Sequence, residues 1–175
     1  MESADCTTTK KRMEDLVNQL EMKVHPEGGF YKEVYRSTDK IAEECLHHRF
    51  CGGSRSVSTA IYFLLESGNF SAFHRIKSDE VWHHYEGNPV EIVVIFRNKK
   101  LEILTLGKNI ENGEQPLQVV PEGCWFASKV KGDGYAFVGC TVAPGFEFSD
   151  FELGDRLRLL KQYPEHSKLI EELTR

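Results

Sequence analysis

The residues best suited to chemistry lie in one stretch of the 175-residue chain, where His74 is followed by Glu80 and His84. In a strand, alternate side chains point to the same face, so His74 shares a face with Ile76, and Glu80 shares one with Trp82 and His84. Inward positions of a small closed β-structure fill the core or surround a ligand, and a polar group there needs a partner. We expect His74 and Glu80 to form either a hydrogen-bonded pair inside a barrel or an acid–base pair that contacts a ligand.

Arginines near this stretch are candidates for binding the phosphate group of a ligand. A planar guanidinium grips phosphate oxygens in two places, and Arg36 and Arg55 are the arginines that we assign to this role. Arg75 is a weaker candidate, because alternation along its strand points it away from His74.

Aromatic side chains complete the set of candidates. Phe146 is a candidate for stacking on a ligand, and Tyr62 or Tyr85 is a candidate for returning a proton. The catalytic candidates are therefore His74 and Glu80, and the ligand-binding candidates are Arg36, Arg55, Tyr62, Trp82, His84 and Phe146.

Composition limits the classes of protein to consider. A chain of 175 residues, 40% of them hydrophobic, is long enough for one domain with a substantial core and too short for two ordinary ones. The formal net charge is −5 and basic residues are dispersed, so we expect no nucleic-acid polymer as a partner. No apolar run has the length of a membrane-spanning helix, so we expect no membrane partner either.

The N-terminus and the cysteines indicate a reducing compartment. Residues 1–11 contain no hydrophobic signal core, so we expect a cytoplasmic protein. The cysteines are odd in number and form no Cys-x-x-Cys pair, which fits neither a disulfide framework nor a zinc finger. They are Cys6, Cys45, Cys51, Cys124 and Cys140.

Most of the chain has the pattern of short β-strands. Runs rich in β-branched and aromatic residues alternate with Gly, Asn, Asp and Pro, a spacing typical of a sandwich or barrel. The predicted strands are 30–35, 57–65, 81–85, 90–96, 101–106, 118–120, 125–130 and 135–142.

Helical patterns flank this β-region. We expect a flexible tail over residues 1–10 and a single domain over residues 11–175. Apolar residues at helical spacing predict a short helix from Met13 to Leu20, and Pro and Gly predict a turn after it. At the other end, residues 153–160 and 166–173 predict a helical C-terminal cap.

The first motif resembles one of the cupin superfamily, which reads Gly, five residues, His-x-His, three residues, Glu, six residues, Gly. Gly68, His74, Glu80 and Gly87 occupy their places in it, and Ile76 replaces the second His.

The second cupin motif, Pro-x-Gly followed after two residues by His, is also present in part. Pro121 and Gly123 match it, and Phe126 replaces the His. Three further blocks resemble a small single-domain cupin-like family of largely unknown function. The blocks are residues 25–31 with 35–37, residues 71–83 and residues 142–152. The resemblance implies an all-β fold, a cupin-type jelly-roll β-barrel with short flanking N- and C-terminal helices.

The resemblance also bears on metal binding. A typical cupin metal site uses His, His, Glu and His, and two of those four positions are Ile76 and Phe126 here. Transition-metal sites normally have three or four protein donors, so His84 or Tyr85 would have to be recruited. We expect no cofactor and assign no metal ligands, with a divalent metal as the alternative.

The resemblance implies a small organic ligand in the barrel. Related metal-free cupins include epimerases of nucleotide-linked sugars in which a His removes a proton. Our leading hypothesis is a metal-independent pocket for a nucleotide, nucleotide-sugar or sugar phosphate, with epimerase or isomerase activity in which His74 is the base and Glu80 orients it. The alternatives are a catalytically silent binding or storage module and a metal-dependent oxygenase or isomerase. Because open sheet edges tend to pair, we expect a homodimer.

Overall fold

Two antiparallel sheets form the body of the structure, a computed structural model that describes residues 4–175. Its strands are β1 Lys23–Val24, β2 Phe30–Arg36, β3 Lys40–Ile41, β4 Arg55–Ser56, β5 Thr59–Glu66, β6 Phe70–Ile76, β7 Asp79–Gly87, β8 Val90–Ile95, β9 Leu101–Leu106, β10 Leu117–Val120, β11 Trp125–Val130, β12 Tyr135–Ala143 and β13 Phe151–Leu153. Its α-helices are α1 Ala4–Gln19, α2 Arg156–Gln162 and α3 Ser167–Glu172. The predicted all-β fold with helices at both ends is confirmed.

The strands are shared between a six-stranded and a five-stranded sheet. The first sheet has the order β1-β2-β5-β12-β7-β10, and the second has the order β13-β6-β11-β8-β9. Strands β3 and β4 form a separate pair. The main core lies between the two large sheets, where Phe63 and Trp82 of the first pack with Phe126 of the second.

Strand β8 shows why part of the sequence has no alternation. Val90, Ile92 and Val94 belong to the core between the sheets, while Val93 and Ile95 belong to a second core beneath the C-terminal helices. Because both faces of this strand are buried, its sequence is a nearly continuous apolar run.

The C-terminal helices cover the outer face of the second sheet. Leu159 and Ile170, both fully buried, pack against Phe73 and Trp125. The first of these helices begins at Arg156, later than predicted, because residues 151–153 pair with β6 as an edge strand. This edge strand places Phe151 beside the predicted site.

Helix α1 covers part of the outer face of the first sheet. Leu16 packs with Leu64 and Tyr135, and Arg12 donates two hydrogen bonds to Glu86, at 2.7 and 2.8 Å. The helix begins at Ala4, within the segment predicted as a flexible tail, and residues 1–3 lie outside the described residues. The helix extends into this polar segment because, once its first turn has formed, each further residue adds a backbone hydrogen bond.

Among the described residues, no helix combines the length and the apolar character needed to cross a membrane.

Gly68 and Gly87 differ in how closely the neighbouring backbone approaches them, which substitution by Ala can test. Their φ angles are 83° and 87°, but an added Cβ has no heavy atom within 4 Å at Gly68 and lies 2.2 Å from the Tyr135 carbonyl oxygen at Gly87. We expect Gly68→Ala to lower the free energy of unfolding by about 1 kcal/mol, because a left-handed backbone disfavours a Cβ. Gly87→Ala should lower it by about 2 kcal/mol more, because β7 and β12 must separate there. Urea unfolding measures both, and equal losses would contradict the predicted clash.

Candidate functional site

A cavity of about 310 Å³ opens between β2, β5, β7, β12 and the segment after β12. Its closed end carries His25, Glu27, Glu80 and Cys140, none of which is more than 8% exposed. Its walls are mainly apolar and are formed by Tyr31, Ile61, Phe63, Val142, Phe146 and Phe148. The cavity therefore combines an apolar wall with a titratable closed end.

The turn between β1 and β2 places Glu27 in this cavity. The His25 N–H donates to the Gly29 carbonyl and the Gly28 N–H donates to the His25 carbonyl, both at 3.0 Å. Gly28 has a φ of 115°, and an added Cβ would lie 2.2 Å from the Phe70 carbonyl oxygen. Glycine is required here because the turn lies directly against β6.

The Glu27 carboxyl group is the centre of a buried hydrogen-bonded cluster. Its Oε1 accepts a hydrogen bond from the Ser71 hydroxyl at 2.8 Å. Its Oε2 lies 3.2 Å from His74 Nε2 and 3.3 Å from His25 Nδ1. His74 Nδ1 is 2.8 Å from the Ala72 carbonyl oxygen, which only accepts, so Nδ1 carries a proton.

This geometry requires a proton between Glu27 and His74. In neutral His74 the lone pair of Nε2 faces the Glu27 oxygen, and two acceptors in contact would repel each other. Burial raises the pKa of Glu27 and lowers the pKa of His74 and of His25. These directions favour a protonated Glu27 between two neutral imidazoles.

Glu80 is the second buried carboxyl group. Burial raises the pKa of Glu80 to about 7, and the charge of Glu27 adds to this, while His74 and a hydrogen bond with Cys140 oppose it. Burial also raises the pKa of the Cys140 thiol well above its ordinary value. A pKa near 7 lies in the range in which a carboxyl group can serve as a general acid or base.

His74 lies behind the cavity and not in its lining. Its ring packs against Phe126, at 4.0 Å between centroids, and against Phe151, at 5.4 Å. Its contact toward the cavity is with Glu27. Of the two predicted catalytic residues, Glu80 lines the cavity directly and His74 contacts Glu27 from behind it.

Arg36 and Phe146, both predicted to bind ligand, lie in the cavity lining. Arg36 donates to both oxygens of Glu33, at 3.0 and 2.8 Å, and to Glu147 at 2.8 Å. It also donates to the Phe146 carbonyl at 3.1 Å. The exposed rim of the cavity therefore has one guanidinium between two carboxylates.

Arg55 is not among the residues that line the cavity. It is 2% exposed and donates to both oxygens of Asp150, at 2.6 and 2.9 Å. It also donates to the carbonyls of Gly53 and Cys51. These bonds tie the loop before β4 to the segment after β12, so the structure gives Arg55 a structural position.

Tyr62 also lies away from the cavity. Alternation along β5 turns Ile61 and Phe63 into the cavity and Tyr62 to the opposite face of the sheet. There its ring lies 5.3 Å from that of Phe137 and 6.1 Å from that of Tyr85.

Trp82 and His84 share the inward face of β7 with Glu80, as predicted, but do not line the cavity. Trp82 is 1% exposed and packs against Phe63 and Phe126. His84 Nε2 is 2.9 Å from the Asn88 carbonyl oxygen. Both residues belong to the barrel interior beyond the cavity.

Sequence reasoning missed His25 and Glu27. The sequence predicts a turn in this segment, which the structure confirms, but the turn pattern carries no prediction that His25 and Glu27 point inward. A sequence signal for them is present, namely a Glu and a His inside a Gly-rich turn that leads into a core strand. Burying such a polar pair is costly unless both side chains have hydrogen-bond partners.

The sequence profile of the family described as Cupin superfamily (DUF985) matches residues 14–154. The chain belongs to this cupin family. It is similar to Uncharacterized protein YML079W of Saccharomyces cerevisiae, with 27% identity over 147 residues that cover 79% of this chain and 73% of the relative.

Two solved structures of cupin relatives have nearly the same fold. A hypothetical protein from Leishmania major superposes with a TM-score of 0.83 and 32% identity, covering 92% of this chain and 97% of that one. Protein SO0799 from Shewanella oneidensis has a TM-score of 0.83 and 37% identity, covering 100% and 99%. The predicted family is confirmed.

The metal site implied by the cupin superfamily does not fit the residues of this chain. The positions of two usual ligands hold the buried hydrocarbon side chains of Ile76 and Phe126. Both ring nitrogens of His74 face other partners, the Ala72 carbonyl and Glu27. From residue 4 onward, no three His, Cys, Asp or Glu side chains are arranged to hold a metal ion. We therefore derive no chemical step through a metal.

Replacing Glu80 by Gln tests its raised pKa. Because the pKa is about 7 in the folded protein and 4.5 as the ordinary value, ionised Glu80 destabilises the fold above neutral pH and has no such effect below pH 4.5. The free energy of unfolding of Glu80→Gln minus that of the wild type should therefore rise across this range, by at most about 3 kcal/mol.

Urea unfolding at pH about 5 and about 8 measures this difference. Glu111→Gln, at an exposed position, is the matched control and should show a small, flat difference. A flat difference for Glu80→Gln as well would mean that Glu80 titrates in its ordinary range.

Proposed function

We propose that the cavity binds a small organic molecule and that Glu80 transfers a proton to and from it without a metal. The observation that carries this proposal is a carboxyl group with a pKa of about 7 at the closed end of a cavity of about 310 Å³. Enzymes place general acids and bases in such surroundings, because a pKa near the working pH makes both states available.

The walls favour a ring-shaped ligand. Tyr31, Phe63, Phe146 and Phe148 supply aromatic surface, and a volume of this size is at the lower end of the range for ligand pockets. A sugar ring or a nucleobase would fill it, with its polar edge toward Glu27 and Glu80.

Isomerisation or epimerisation is the reaction that these groups support. Ionised Glu80 takes a proton from the substrate, and protonated Glu27 or Glu80 itself returns one, so substrate and product have the same composition and no redox partner is needed. Where Glu27 is the donor, Glu80 then loses its proton and Glu27 gains one by exchange with water before the next turnover. His74 and Ser71 hold Glu27 in place. The predicted role of His74 as the base thus passes to Glu80.

A nucleotide, nucleotide-sugar or sugar phosphate is the narrower ligand class that we propose. Its ring would lie in the cavity and its phosphate would reach Arg36 at the rim. Since Arg36 is paired with both Glu33 and Glu147, the phosphate must displace one of these carboxylates. We therefore expect the ring to supply most of the affinity.

A thermal-shift screen of sugars, nucleosides and their phosphates tests this proposal, because a ligand that binds only the folded state raises its stability. Phe146→Ala should weaken binding of a hit about tenfold, as expected for a lost aromatic contact of about 1.4 kcal/mol. Glu80→Gln should retain binding and lower turnover at least about 100-fold. Tyr62→Phe, outside the cavity, is the control for both.

Each outcome of the screen separates the hypotheses. A hit that Phe146→Ala leaves unchanged does not bind in the cavity and contradicts the proposal. A hit that binds in the cavity but stays chemically unchanged on long incubation with wild-type protein supports the catalytically silent binding module instead.

We also propose that two copies associate through the outer face of β7 and β10. Tyr85, Leu117 and Val119 are 42%, 46% and 42% exposed on these strands, and β10 is a sheet edge. Light scattering should report a dimer at micromolar concentration and a monomer for Leu117→Glu. A wild-type monomer would contradict this interface.

A further inference from the structure

A second groove of about 310 Å³ is lined by Arg49, Arg75, Lys77 and Arg97. We call it the cationic groove. It shares the segment after β12 with the cavity, since Phe148 lines the cavity while Ser149 lines the groove. The cationic groove differs from the cavity in the sign of its charge.

The charges around the cationic groove are unbalanced. Three carboxylates lie at it, and each is contacted by two cationic side chains. The pairs are Arg49 and Arg97 at Glu122, Arg55 and Lys77 at Asp150, and Arg75 and Arg158 at Glu152. Of these six cations, Arg49, Arg75, Lys77 and Arg97 line the groove with the three carboxylates, so the lining has one positive charge more than negative charges, in a chain whose formal net charge is −5. Such an excess of one sign disfavours the folded state unless an anion offsets it.

The guanidinium groups of Arg49 and Arg97 each have nitrogen donors that make no hydrogen bond within the described residues. Arg49 uses Nε to donate to the Lys77 carbonyl at 2.7 Å, and its charge lies 5.0 Å from the centre of the Phe50 ring. Arg97 uses Nη2 to donate to Glu122. Among the described residues, the two terminal nitrogens of Arg49 and the Nε and Nη1 of Arg97 have no hydrogen-bond partner.

We propose that the cationic groove binds the phosphate group of a small phosphorylated molecule, with Arg49 and Arg97 donating to its oxygens. A planar guanidinium fork matches the oxygen geometry of phosphate, and a lining with more cations than carboxylates favours a bound anion. The groove volume of about 310 Å³ lies within the usual range of volumes for small-molecule pockets. This site is separate from the cavity, whose rim has two carboxylates around its single arginine.

Calorimetric titration in phosphate-free buffer tests the cationic groove. The probes are inorganic phosphate, ribose 5-phosphate and uncharged ribose. Both phosphates should bind the wild type, ribose should not bind at the groove, and raising the ionic strength should weaken binding, because exposed charges are screened. The double variant Arg49→Gln with Arg97→Gln should lose at least about tenfold in affinity, or about 1.4 kcal/mol.

Matched variants separate this site from the other cations of the chain. Lys10→Gln with Lys11→Gln removes the same charge from exposed positions of α1 and should leave phosphate affinity unchanged. A loss of inorganic phosphate binding in Arg36→Gln, with none in the Arg49 and Arg97 variant, would place the phosphate at the cavity rim and overturn the proposal. Absence of phosphate binding to the wild type at millimolar concentration would also overturn it.

If ribose 5-phosphate binds more tightly than inorganic phosphate, and the Arg49 and Arg97 double variant loses this difference, the groove recognises an ester. Equal affinities identify free phosphate as sufficient, and both results support the site. Because inorganic phosphate has no ring to fill the cavity, failure of this test leaves the proposal for Glu80 intact, and failure of the Glu80 tests leaves the groove intact.

Discussion

The burial of two carboxyl groups at the closed end of an antiparallel barrel is the constraint on which the rest of the site depends. Glu27 and Glu80 are 6% and 8% exposed, and an ionised carboxylate in such surroundings is costly unless it is paired. The Ser71 hydroxyl donates to one oxygen of Glu27, and the rings of His74 and His25 lie within 3.3 Å of the other, which offsets part of this cost. Glu80 has fewer partners, and its pKa of about 7 is the physical result.

The same constraint explains the residues that depart from the cupin metal motif. Ile76 and Phe126 are buried hydrocarbon, and the Phe126 ring lies 4.0 Å from that of His74. They leave His74 in apolar surroundings, which lower its pKa and make a neutral imidazole facing Glu27 the favoured state. Replacing the ligands therefore converts a metal-binding position into a proton-sharing one.

The segment after β12 separates two regions of opposite charge. On one side, the cavity contains four glutamates and one arginine, Arg36. On the other side, the groove has more cations than carboxylates. The Arg55–Asp150 ion pair joins this segment to the loop before β4. Arg55, predicted to bind ligand, thus holds in place the segment that lies between the cavity and the groove.

Local patterns were enough to predict most of the fold. The strands at 101–106 and 125–130 match the observed bounds, because turn residues flank them and their apolar residues pack on a core. Alternation also predicted that Glu80, Trp82 and His84 point inward. The site was harder, because the contact between Glu27 and His74 joins residues 47 positions apart, and the Arg55–Asp150 pair spans 95. A local sequence pattern does not show which residues so far apart along the chain come into contact.

The most direct test of the account is a carbon-13 NMR titration of the glutamate side-chain carboxyl carbons, with signals assigned from Glu80→Gln and Glu27→Gln. We expect the Glu80 signal to titrate with a midpoint near pH 7 and the midpoint of Glu27 to lie above the ordinary range. Midpoints of about 4 to 5 for both residues would contradict the claim that the closed end of the barrel holds shared protons near neutral pH.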